Sequence, residues 1–134
     1  TTLTGAVAIS TGSGAGTINF NSTLDGTHNL TLTAGTGNIE FDAPVGSIAR
    51  LGILTVASAA NVTADSAVNV ASILQQAGSG TTTFTGAVNT NTVAGVNLTG
   101  TNLVVTAGIT TTSSGVLTTQ LAGSATLSNG SASN

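Results

Sequence analysis

Charge is almost missing from this chain. Of 134 residues one is basic, Arg50, and four are acidic: Asp25, Glu40, Asp42 and Asp65. That is 4% charged, against roughly 25% in an ordinary globular domain. Nucleic acid is excluded as a partner, because neutralising phosphates takes clustered Lys and Arg. Electrostatic docking to anionic lipid is excluded in the same way. Cysteine is absent, which removes disulfides and thiolate metal sites. Aromatics are limited to three Phe, with neither Trp nor Tyr, so the ring platforms that stack sugars are missing. No apolar run reaches about 18 residues, so no membrane-inserting helix is expected. Thr1 opens no secretory leader, having no Met, no basic start and no apolar segment after it. Such a start points to a processed chain or to a piece of a longer one.

What remains is mostly Thr, Gly, Ala, Ser, Asn, Val and Leu. Disorder goes with low hydrophobicity and high net charge. Here mean hydropathy is +0.43 and net charge is −3, and apolar residues are regularly spaced. An ordered chain of small-residue units is expected.

Those units repeat. Gly16-Thr17-Ile18-Asn19-Phe20 returns as Gly37-Asn38-Ile39-Glu40-Phe41 and as Gly80-Thr81-Thr82-Thr83-Phe84. The starts lie 21 and then 43 residues apart, and a weaker copy, Ala60-Asn61-Val62-Thr63-Ala64, falls between. A period of this size marks a solenoid in which each repeat is one coil. The chain is read as a single domain, residues 1–134, of about six coils of roughly 21 residues.

Within a coil, Ile18 and Phe20 alternate with Thr17, Asn19 and Asn21, the period-2 pattern of a half-buried strand. Asp25-Gly26 reads as a turn. Leu30 and Leu32 alternate with Asn29, Thr31 and Thr33 in a second strand, and Ala34 to Gly37 closes the coil. Ile39, Phe41 and Val45 repeat Ile18, Phe20 and Leu24; Leu54 and Val56 replace Leu30 and Leu32 after a slip of one residue. The predicted core ladder is Ile18, Phe20, Ile39, Phe41, Val62 and Phe84, with Ala64 and Thr82 filling the remaining places. The predicted turn residues are Asp25, Gly26, Gly35, Gly37, Gly78 and Gly80. Thr, Val, Ile, Asn and Gly are poor helix formers. Residues 66–76 carry some helical propensity but lie where strands are due, so they too are read as strands. Pro44 falls in a bend after a strand, where a missing N–H is tolerated. Arg50 is expected inside a strand, shielded from trypsin. The fold class expected is all-β, a parallel β-helix, with small and β-branched residues filling a narrow interior.

Chemistry-bearing residues are few and scattered. His28 has no second His or Cys to complete a metal site, and reads as a surface turn residue. Asp42 and Asp65 are expected in successive coils, the one candidate for Ca²⁺, which takes six to eight oxygens. Glu40 and Asp42 should both face outward; a glycosidase pair would also need a sugar cleft. Gly12 to Gly16 and Gly78 to Gly80 lack the Lys and following helix of a phosphate loop. Thr-x-Thr pairs such as Thr31/Thr33 and Thr81/Thr83 do not recur at one register, as an ice-binding face requires. Asn-x-Ser/Thr sequons occur at Asn21, Asn29, Asn61, Asn97 and Asn129, where composition alone yields such matches. No catalytic residue and no cofactor is expected.

Residues 16–26, 29–41 and 74–90 resemble the β-strand repeats of very large bacterial surface proteins, the filamentous-haemagglutinin and autotransporter adhesin group. The resemblance runs from about residue 5 to 128. It implies a right-handed parallel β-helix, export to the cell exterior and a non-enzymatic role as adhesin stalk or fibre. A receptor-binding module and a membrane-anchoring barrel have no counterpart in these residues. Alternatives are a subunit that polymerises end to end into a filament or sheath, and a solenoid with an ice- or glycan-binding face. The partners expected are further copies of the chain, end to end or side by side, or a host or neighbouring-cell ligand bound through other parts.

Overall fold

A computed structural model describes residues 1–128. Fourteen strands follow one another: β1 Val7–Ser10, β2 Ile18–Phe20, β3 Leu30–Thr33, β4 Ile39–Phe41, β5 Leu51–Ser58, β6 Val62–Ala64, β7 Val68–Gln75, β8 Thr81–Phe84, β9 Val88–Thr90, β10 Val96–Gly100, β11 Asn102–Val105, β12 Ile109–Thr111, β13 Leu117–Leu121 and β14 Ala125–Leu127. Every pairing is parallel and joins a coil to the next one. The expected all-β solenoid of about six coils is what forms. There is no helix among the described residues, and β7 occupies the segment with residual helical propensity.

The coils have three sides. One carries the sheet β2-β4-β6-β8-β11-β14. A second carries β1-β3 and then the later parts of β5 and β7, followed by β10 and β13. The third runs through single bridges at Leu24 and Val45 into the start of β7, then β9 and β12. This third side is the one that short apolar signals spaced four residues after the Phe column left unresolved in the sequence. β5 and β7 are long because they turn the corner between two sides. Ser72 and Ile73, adjacent in β7, are both buried there, which strict alternation forbids on a flat strand.

Side chains stack in columns along the rod. Ile18, Ile39, Val62, Thr82, Leu103 and Ala125 form one. Phe20, Phe41, Ala64, Phe84, Val105 and Leu127 form its neighbour. The predicted ladder is therefore continuous, with one qualification: Phe20 is only half-buried, being in the first strand of its sheet. Its ring still lies flat on that of Phe41, centroids 5.1 Å apart. Successive members of the Ile18 column are 21, 23, 20, 21 and 22 residues apart. Corners absorb the variation, and so does a bulge: Leu32 pairs with Val56 but Thr33 with Ser58. That bulge is the slip seen in the sequence near Leu54. It keeps Leu54 and Val56 inward despite the added residue.

The turn predictions divide. Gly26 and Gly35 have positive φ, +120° and +59°, as turn glycines do. Gly37, Gly78 and Gly80 do not; they sit at corners where another coil passes close. Asp25 is not a turn residue. It is buried, in a bridge with Thr2, and the bend follows at Thr27 and His28.

Three polar residues interrupt the core. Thr82, in the Ile column, donates its hydroxyl to Gln75 Oε1 at 2.8 Å, so these two satisfy each other. Thr90 is 1% exposed and its Oγ1 has no partner. A buried hydroxyl left unpaired costs about 1–3 kcal/mol, and valine has nearly the same shape. Thr90→Val is expected to raise stability by about 1 kcal/mol, read as a higher urea midpoint with an unchanged slope. A lower midpoint would show that the hydroxyl is solvated or bonded in solution.

Candidate functional site

The predicted cation pair is brought together as expected. Asp42 N–H donates to Phe20 O and Asp65 N–H to Phe41 O, so the two residues hold the same register in successive coils. Both are exposed. The neighbouring places on this column are Asn21 and Thr85. Among the described residues no group of three or more His, Cys, Asp or Glu is placed to hold a metal. Glu40 faces outward too, and accepts a hydrogen bond from Asn19 Nδ2 at 3.2 Å. His28 lies in the bend after Gly26.

The remaining charges do structural work that the sequence concealed. The bend at residues 46–50 interrupts the coil between Val45 and β5. From the preceding coil, Asp25 Oδ1 accepts the N–H of Ile48 at 2.8 Å and of Ala49 at 3.3 Å, and the Ser47 hydroxyl at 3.5 Å. From the other direction, Arg50 Nη1 donates to Val70 O at 3.0 Å and to Asn89 O at 2.7 Å, one and two coils onward. The bend is thus tied to the coil before it and to two coils after it. Arg50 precedes β5 and is not in a strand, contrary to expectation. What restrains it is this side-chain bonding. An irregular bend has unpaired amides and carbonyls, and charged side chains are the strongest partners for them.

Asp25 consequently titrates low. The Ile48 N–H is the main cause; desolvation opposes it, and the Ala49 N–H and Ser47 hydroxyl add to the lowering. The unfolded chain takes up its proton near pH 3.9, before the folded chain does. The stabilisation is complete above that pH and drains away as pH falls through the lower folded value. Melting temperature should stay level from neutrality to about pH 4 and then drop. Asp25→Asn should start lower and show a shallower drop. Identical acid profiles for the two proteins would remove Asp25 as the origin.

Asparagines stitch other coils. Asn61 donates Nδ2 to Asn38 Oδ1 at 3.0 Å while its own Oδ1 accepts Thr81 N–H at 2.8 Å. Asn102 Oδ1 accepts Ser124 N–H at 3.0 Å, and Asn89 Nδ2 donates to Asn69 Oδ1 at 3.0 Å. Two sequon residues are engaged in such bonds: Asn61, and Asn29, whose Oδ1 accepts Ile53 N–H at 2.8 Å. Asn21 is exposed and Asn97 half-buried in β10; Asn129 lies outside the described residues. The outward Thr pairs are interrupted along the rod. The column through Thr31 reads Ala8, Thr31, Thr55, Leu74, Asn97, Thr118.

Four of the exposed large apolar residues, Ile48, Ile53, Val93 and Val116, lie near the corner between the β9 and β10 sides. Among the described residues there is no cavity, and no helix is long and apolar enough to cross a membrane. No protein-family model, curated protein or solved structure matches the chain.

Proposed function

We propose that this chain is a non-enzymatic structural segment of an extracellular bacterial fibre or adhesin stalk. The observation that carries this reading is the unbroken register from coil to coil on the two fully stranded sides of the rod. A stack of parallel strands transmits tension through hydrogen bonds shared by every coil, and six coils at about 4.8 Å span roughly 30 Å. The few charges support the same reading, because Asp25 and Arg50 hold a bend and carry no ligand. So does the likeness of residues 16–26, 29–41 and 74–90 to adhesin repeats, which also motivates an extracellular location.

Force spectroscopy on the chain, held at its two ends, tests the proposal. Coils should peel one after another. Each releases about 21 residues, or roughly 70 Å at 3.3–3.6 Å per residue. Release of the whole chain in one event at low force would oppose a stalk role. An activity or receptor found for the folded chain alone would replace the proposal.

A further inference from the structure

The two ends of the described stack match each other. At the C-terminal end, Leu127 belongs to the Phe20–Phe41 column yet is 43% exposed. Ala125, in the Ile18 column, is exposed, and Leu117, in the column of Val7 and Leu30, is half-buried. At the N-terminal end Val7, Ile9 and Phe20 are the half-buried inner residues. Each end therefore presents inner-column side chains with no coil laid over them.

Backbone groups at the ends are complementary as well. Val96 N–H donates forward to Val116 O, and Leu103 N–H forward to Ser124 O. The same alternation points the N–H of Leu117 and Ala125, one coil on, off the C-terminal end. At the other end Val7 and Thr11 donate forward, to Asn29 O and Thr33 O. The intervening Ala8 N–H is thereby turned off the N-terminal end.

The helical phase also closes. Inside the stack the chain passes from the Phe column to the next side in four residues each time: Phe20 to Leu24, Phe41 to Val45, Ala64 to Val68, Phe84 to Val88 and Val105 to Ile109. The C-terminal end finishes on the β14 side. The N-terminal end begins on the following side, where Thr2 pairs with Asp25. Two copies laid end to end continue the ramp with no side missing or doubled.

Nothing on these edges resists such pairing. Exposed edge strands are usually guarded by Lys, other charges or Pro. Here residues 1–24 and 66–128 contain no charged residue, and the single proline is Pro44. We propose that a second copy of this chain docks its N-terminal end on the C-terminal end of the first, setting Leu117 against Val7, Ala125 against Ile18 and Leu127 against Phe20 of the next copy. The contact reproduces the coil-on-coil interface already present within the chain. It rests on the structural reading above and names the partner. Being head-to-tail, it does not close.

Sedimentation velocity over a concentration series tests this, with two variants at opposite ends. Leu127→Asp puts a charge where Phe20 of the next copy would lie. Ala8→Pro deletes an edge N–H that no internal bond uses. The wild type should grow through dimer and trimer without a plateau as concentration rises. Each variant should keep the wild-type circular dichroism and melt, and remain a monomer. Their equimolar mixture should stop at dimer, because only one compatible pair of ends is left. A wild type that stays monomeric up to about 1 mM overturns the docking. So does a closed dimer that both variants still form, since that contact would be lateral. Monomers that still peel in coil-sized steps under force would overturn the docking alone and leave the structural role standing.

Discussion

Replacing Phe41 with alanine should lower the unfolding free energy by about 3–5 kcal/mol. Phe41 is 2% exposed and has the largest fully buried side chain in the rod. It is covered on one side by the Phe20 ring and followed on the other by Ala64. Ala64 leaves the column narrow at that point, so no neighbouring large side chain is available to fill the void. A cavity that cannot collapse costs more than the lost transfer energy alone. Domains of this size are stable by only about 5–15 kcal/mol, so the variant should unfold at a much lower urea concentration. Phe20→Ala, at the half-buried head of the same column, should lose clearly less. Equal losses at the two positions, or a loss at Phe41 below about 1 kcal/mol, would mean that the column is not a packed core.

Gly46→Ala should cost about 2–5 kcal/mol, combining left-handed strain with overlap. Gly46 has φ of +67°, a region costly for a residue with a Cβ. A Cβ there would also overlap the Asn69 carbonyl oxygen of the next coil. Neither side can yield easily. Gly46 N–H is bonded to Leu24 O at 2.7 Å, and Asn69 N–H to Val45 O at 2.8 Å. Arg50 further pins the same neighbourhood through Val70 O and Asn89 O. Gly5→Ala is the control. A Cβ at Gly5 meets nothing within 4 Å, so that change should lie within about 0.5 kcal/mol of wild type. Denaturant unfolding of the pair gives the comparison. Two small and equal effects would show that the bend at 46–50 adjusts freely.

Both sites show why parts of the fold were legible in the sequence and others were not. The repeat, the inward columns of Ile18 and Phe20, and the strand at Leu30 to Thr33 rest on period-2 alternation within a few residues, recurring at nearly constant spacing. Such local patterns commit each side chain to one face whatever the rest of the chain does. The slip at Leu54 was visible for the same reason, because a bulge leaves the alternation shifted but intact.

The side through Leu24, Val45, Val68 and Val88 was hidden because its first members are single bridging residues with no alternation to read. Asp25 looked like a turn residue beside Gly26, yet its carboxylate serves amides 23 and 24 positions away. Arg50 looked like a lone surface cation, yet it reaches carbonyls 20 and 39 positions away. The Thr82–Gln75 bond in the core, and the engagement of Asn29 and Asn61 beside the exposure of Asn21, have the same origin. By itself the sequence determined that the chain coils, with what period, and which residues turn inward, since these follow from neighbouring residues sharing or alternating faces. Only the tertiary structure decided which polar groups meet, because coils of 20 to 24 residues bring together atoms whose pairing depends on the exact length of every intervening corner.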